Sequence, residues 1–191
     1  MTSCAWQTRC RRVTRREAGA ARGVVAGSPD SWSSAFMPTD PGWKPVVDVD
    51  LLIRKPSIEV YQAFAEPDRI RRFWLASSSG RLVSGATVSW QFKVAAARTD
   101  VLVIEAAPGA LLDLRWDDGQ PLRLTFDDRG GASTLVGVHL TDFPGDNPAA
   151  DAIEATSGFT LVLASLKMWL EHGIEGDLMY DKFPDAEYAD R

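Results

Sequence analysis

Residues 158–173 read GFTLVLASLKMWLEHG, and this stretch leaves little choice of fold. Phe159, Val162, Leu163, Leu166 and Leu170 recur at spacings of three and four, which predicts a helix with one apolar stripe. Thr160, Ser165, Lys167 and Glu171 fall mostly off that stripe, and Gly173 is placed to stop the last turn. Such a helix needs a surface to cover. The segments upstream are short and alternating, as strands are. The helix is therefore expected to lie as a lid across a curved sheet.

The sheet is read from alternation. Val47, Val49, Leu51 and Ile53 alternate with Asp48, Asp50 and Leu52, which predicts a half-buried first strand. Asp48 and Asp50 share its solvated face, where two carboxylates are ordinarily solubilising rather than catalytic. Pro56 and Ser57 suit a helix start, Val60, Ala63 and Phe64 form its stripe, and Pro67 ends it. Residues 68–74 read as a second short helix, with Arg69, Arg71 and Arg72 as a solvated face. Residues 77–80 read as a loop that lacks the glycine spacing and lysine of a phosphate cradle.

Six strands are expected next. The first is residues 81–83. The others carry Val88, Trp90 and Phe92; Leu102 and Ile104; Leu112, Leu114 and Trp116; Leu122, Leu124 and Phe126; and Val136, Val138 and Leu140. Gly85, Pro108 with Gly109, Asp117 to Gly119 and residues 127–131 supply tight turns, so the strands form an antiparallel meander. Residues 148–157 read as the first turns of the final helix. After Gly173 comes a tail, residues 174–191, with Leu178, Tyr180 and Phe183 as anchors and an end expected to fray.

Charge divides the chain. Residues 1–36 hold six Arg against Glu17 and Asp30, whereas the rest holds 15 basic and 24 acidic residues. Residues 1–43 are read as a disordered extension, with Met37 as a natural start, and the acidic remainder argues against nucleic acid as a partner. Cys4 and Cys10 both lie in the extension, so the folding part has no disulfide or thiolate site, as suits the cytoplasm. No apolar run reaches the length of a membrane span. His139 and His172 are too few for a multi-histidine metal site. No nucleophile elbow, dinucleotide fingerprint or zinc spacing is present. No metal, cofactor or catalytic constellation is expected, and Glu105 and Asp142, near strand ends, are the only mild candidates for acid–base work.

The order of strand, two short helices, six-strand meander and long helix resembles the START-like (SRPBCC) superfamily. Its α+β helix-grip fold wraps a curved antiparallel sheet around a C-terminal helix. VDVDLLIRKPSIEVYQAFAEPDRIRRFW is similar to the family opening, although Lys55 replaces a small residue before Pro56 and Glu66 replaces Asp before Pro67. VIEAAPGALLDLRW resembles the family hairpin that ends in Trp, here Trp116, and the terminal helix carries Phe159 where Trp is usual. The most similar branch is named for the activator of the heat-shock protein 90 ATPase, in its bacterial single-domain form. The resemblance spans residues 44–173. It implies a domain that binds small apolar molecules or lipids, and the superfamily also includes cyclases and hydrolases.

Strand parity then nominates a cavity between sheet and helix. Its expected walls are Phe64, Trp74, Trp90, Leu102, Ile104, Leu112, Leu114, Trp116, Leu124, Phe126, Val136, Val138, Phe159 and Leu163. Arg115 and Arg72 are candidates to orient a carboxylate at the mouth. Two alternatives stand beside this reading: an interaction module acting on a chaperone or regulator, and a cavity enzyme using isolated carboxylates.

Overall fold

The computed structural model describes residues 44–190. Seven strands form one antiparallel sheet: β1 (Val47–Ile53), β2 (Leu75–Ser78), β3 (Thr87–Phe92), β4 (Arg98–Ala107), β5 (Leu111–Trp116), β6 (Pro121–Asp128) and β7 (Thr134–Leu140). Their order is β1-β7-β6-β5-β4-β3-β2, so the six-strand meander runs back until β7 pairs with β1. Helices α1 (Ser57–Ala65) and α2 (Pro67–Ile70) link β1 to β2. A 25-residue helix, α3 (Pro148–His172), follows the sheet, and a single turn, α4 (Leu178–Asp181), closes the chain. This is the α+β helix-grip arrangement.

Local chemistry explains the boundaries. Asn147 accepts a hydrogen bond from the Ala150 N–H, and Pro148 occupies the first helical turn of α3, where its missing N–H costs nothing. At the other end Gly173 takes φ 70°, and its N–H donates to the Trp169 carbonyl. The stripe of Phe159, Val162, Leu163, Leu166 and Leu170 is buried along α3.

Three expectations need correction. Leu102 and Ile104 point outward and are exposed, while Thr99, Val101 and Val103 face the interior. Residues 101–104 are apolar on both faces, so polarity does not distinguish inside from outside there. Pairing does: Val101 lies opposite the inward Trp116 and Val103 opposite the inward Leu114. A register shift between Val103 and Glu105 then re-phases the end of β4. Second, the first strand of the meander is Leu75–Ser78, which overlaps the expected loop of residues 77–80, and residues 81–83 are not a strand. Pairing of Leu75 with Phe92 and Ser78 with Trp90 overrides the weak strand preference of serine. Third, α2 stops at Ile70, and the chain turns through residues 71–74.

The chain end does not trail away. Met179 is buried, the Ala95 N–H donates to Glu187 and the Ala189 N–H donates to Lys93. Lys93 Nζ reaches Asp190 and the Arg71 carbonyl, and the Tyr188 hydroxyl donates to the Tyr180 and Phe183 carbonyls. Residues 186–190 thus form a strap over the β3–β4 loop. The expected extension, with Met37 and both cysteines, lies outside the described residues.

The last turn of α3 is tied to the end of β1 through Glu171. Its carboxylate accepts from Lys167 Nζ, from the Arg54 N–H at 2.8 Å and from Arg54 Nη1. Burial alone would raise its pKa. The bonds from Lys167 and Arg54 outweigh burial and hold the group at about 2, against 4.5 in the unfolded chain. A depressed carboxylate contributes stability above its unfolded pKa and loses it as pH falls towards its folded one. Arg54 is largely exposed, so solvent screening reduces the contribution to about 1–2 kcal/mol. Urea unfolding between pH ~5 and ~2 should therefore show a loss that Glu171→Gln lacks by about that amount. An identical acid profile in the variant would contradict this assignment.

Candidate ligand-binding interior

The interior is built from the inner faces of β3 to β7 and the stripe of α3. Alternation places Trp90, Leu112, Leu114, Trp116, Leu124, Phe126, Val136 and Val138 on one face of the sheet, and all are buried. Phe64 from α1, Trp74 from the turn after α2, and Phe159 and Leu163 from α3 complete the same cluster. Twelve of the fourteen nominated residues are thus brought together, while Leu102 and Ile104 stand on the opposite face.

Aromatic rings dominate one end of this layer. Trp74 lies 5.2 Å from Trp90 and 5.6 Å from Phe159, centroid to centroid, and Trp90 lies 5.6 Å from Trp116. All three contacts are edge-on, a geometry that aromatic quadrupoles favour. Phe64 packs edge-on against Phe73 at 5.2 Å. Phe73 and Phe92 belong to the same buried cluster. Phe92 shares the parity of Trp90 and was within reach of the same argument.

Polarity within the layer is unusual. The indole N–H groups of Trp74, Trp90 and Trp116 are buried, as is the Ser165 hydroxyl. None of the four has a hydrogen-bond partner among the described residues. Buried polar groups ordinarily find partners, and each orphan costs about 1–3 kcal/mol. Ser165 stands three residues after Val162 and so belongs to the buried stripe, although its polarity suggested otherwise.

Three grooves on the surface, by contrast, mix polar and apolar lining. The largest, about 460 Å³, lies beside β2 to β4 among Ser77, Ser79, Ser89, Arg98, Asp100 and Asp117. A second, about 360 Å³, crosses β1, β7 and β6, where His139 Nδ1 lies 2.5 Å from the Asp48 carboxylate. The third, about 240 Å³, sits beneath the C-terminal strap beside Arg72 and Lys93.

The other nominated polar residues lie away from the interior. Glu105 and Asp142 are exposed, Asp142 within 3.6 Å of Lys44. Arg115 donates to the Gly119 carbonyl, Arg72 pairs with Glu175, and Arg69 lies over the Trp169 ring. Among the described residues no three His, Cys, Asp or Glu side chains gather as a metal site. No helix among them is long and apolar enough to cross a membrane.

This helix-grip architecture is similar to that of several solved structures, Aha1-like proteins among them. A Staphylococcus saprophyticus protein of known structure is 24% identical, with a TM-score of 0.61 over 68% of this chain and 94% of its own. The Aha1 dimer of Colwellia psychrerythraea is 18% identical, with a TM-score of 0.57 over 68% of this chain and 98% of its own. CalU16 of Micromonospora echinospora is 18% identical, with a TM-score of 0.56 over 71% and 80%. No protein-family model matches the sequence, and no curated protein matches it significantly. At these identities the likenesses show the fold and leave function to the site.

Proposed function

We propose that this protein binds a small, largely apolar molecule or lipid between the sheet and α3, as a binder rather than a catalyst. The observation that carries this reading is the interior itself. Its aromatic walls hold four buried polar groups without partners, an arrangement that a self-sufficient core avoids. An occupant would gain affinity from burying apolar area, about 25 cal/mol per Å² before the costs of association. The absence of cysteine from residues 44–190 fits a cytoplasmic site of action.

Fluorescence titration with fatty acids and flavonoids tests the reading, because Trp74, Trp90 and Trp116 line the interior and report its occupancy. At least one probe is expected to bind. Leu163→Trp should fill the space and abolish binding while the protein stays folded. If no probe binds and Leu163→Trp unfolds the protein, the interior is solid core.

A second reading, a protein-interaction module, is favoured by Leu102 and Ile104 standing exposed on the outer face of β4, with Val83 exposed on the segment beside it. The Aha1-like fold points the same way. On this reading, Ile104→Asp would weaken stimulation of a heat-shock protein 90-type ATPase. No stimulation by the unaltered protein would remove it.

A further inference from the structure

We propose that the groove on the outer face of β1, β7 and β6 binds a small primary amine, held as its ammonium ion between the Asp50 carboxylate and the Thr125 hydroxyl above Gly137. The groove lies on the opposite face of the sheet from the interior, so the proposal is independent of the ligand-binding reading above.

Register builds the site. Asp50, Gly137 and Thr125 lie side by side across the three strands, and the adjacent outward row is Asp48, His139 and Arg123. Parity turns both rows outward, since Leu124, Val136 and Val138 point inward. The two rows line a groove of about 360 Å³, a size that suits a small molecule. Gly137 is its floor. A Cβ at this position would lie 2.6 Å from the Thr125 hydroxyl oxygen and 4.0 Å from the Thr125 Cβ. The hydroxyl is therefore the part of Thr125 that leans over β7 towards β1. A larger residue at 137 would crowd the space between that hydroxyl and Asp50.

Charge selects the occupant. The row of Asp48, His139 and Arg123 is already matched: His139 Nδ1 meets the Asp48 carboxylate, and Arg123 Nη2 donates to Asp113. Among the described residues, Asp50 has no ion pair and the Thr125 hydroxyl has no hydrogen-bond partner. Because His139 Nδ1 faces a carboxylate, it carries the proton, and Nε2 of the neutral ring is an acceptor. The groove thus offers an unmatched carboxylate, a hydroxyl oxygen and an imidazole nitrogen, all able to accept. A primary ammonium supplies both the missing charge and several N–H donors on one atom. A carboxylate or phosphate would instead meet Asp48 and Asp50, with Arg123 already engaged by Asp113. A metal ion would lack ligands, since no three His, Cys, Asp or Glu side chains gather among the described residues.

Three probes at matched ionic strength separate charge from hydrogen bonding: n-butylammonium, tetramethylammonium and butyrate. The full chain is titrated with each and followed by proton–nitrogen correlation spectra. Butylammonium is expected to shift the backbone signals of Asp50, Thr125 and Gly137 saturably. It should bind at least about three-fold more tightly than tetramethylammonium, which carries the charge without an N–H. Butyrate should leave these signals in place. Asp50→Asn should weaken butylammonium binding by about three- to ten-fold, a modest factor because solvent screens the exposed pair. Thr125→Val should weaken it as well, whereas Thr125→Ser should retain it. Melting curves establish that each variant is folded, and the comparison of probes needs no variant. Equal binding of tetramethylammonium, unchanged affinity in Asp50→Asn, or no saturable shift at these three residues overturns the proposal. Each of those outcomes leaves the interior reading standing, because that reading is tested by the fluorescence of the buried tryptophans on the other face.

Discussion

Replacing Leu166 by Ala is expected to lower stability by about 2–5 kcal/mol, and Leu163→Ala by a similar amount. Both side chains are fully buried on the face of α3 that covers the sheet. Removing either takes away transfer free energy and leaves space that rigid neighbours fill only in part. Ile153 is the internal control, since it lies on the same helix and is 70% exposed. Ile153→Ala should move stability by no more than about 0.5 kcal/mol. Urea unfolding of the three variants measures this directly. Losses under about 1 kcal/mol at both leucines would show that the stripe is not seated on the sheet.

Gly137→Val should cost about 1–3 kcal/mol, the usual range for overpacking. Gly137 sits in the middle of β7, opposite Thr125 of β6 and Asp50 of β1. A Cβ there would lie 2.6 Å from the Thr125 hydroxyl oxygen, well inside van der Waals contact. Thr125 is β-branched and yields only by changing rotamer. The cost should therefore belong to the pair. In a Thr125→Ala background, Gly137→Val should become neutral or stabilising, because the lost glycine also removes unfolded-state entropy. An undiminished cost in that background would place the strain in the backbone.

The two predictions differ in how far the sequence anticipates them. The stripe of α3 is legible because helical spacing and polarity agree at nearly every position. Ser165 is the exception: its spacing places it on the stripe and its hydroxyl argues against it. The inner faces of β5, β6 and β7 are equally plain, since Asp113, Arg115, Arg123 and His139 mark the other side. The close approach of Gly137 to Thr125 cannot be read from either strand, because it depends on the register between them.

The same physics separates what the chain encodes locally from what its assembly decides. A period of two states which residues share a face but not which face is inside, and that choice is made by contrast in polarity. Where contrast exists, as in β6 with Leu122, Leu124 and Phe126 against Arg123 and Thr125, the sequence alone determines the interior. Along Val101 to Ile104 both faces are apolar, and pairing of Val101 with Trp116 and Val103 with Leu114 decides the matter. Residues 75–78 become a strand only because β3 offers them hydrogen bonds. The C-terminal strap has no periodicity and is placed by Lys93 and Ala95, about ninety residues away. Local pattern thus determined most of the elements and most of their buried faces. The long-range hydrogen bonds, and the orphaned donors that define the interior, exist only once the sheet has closed against α3.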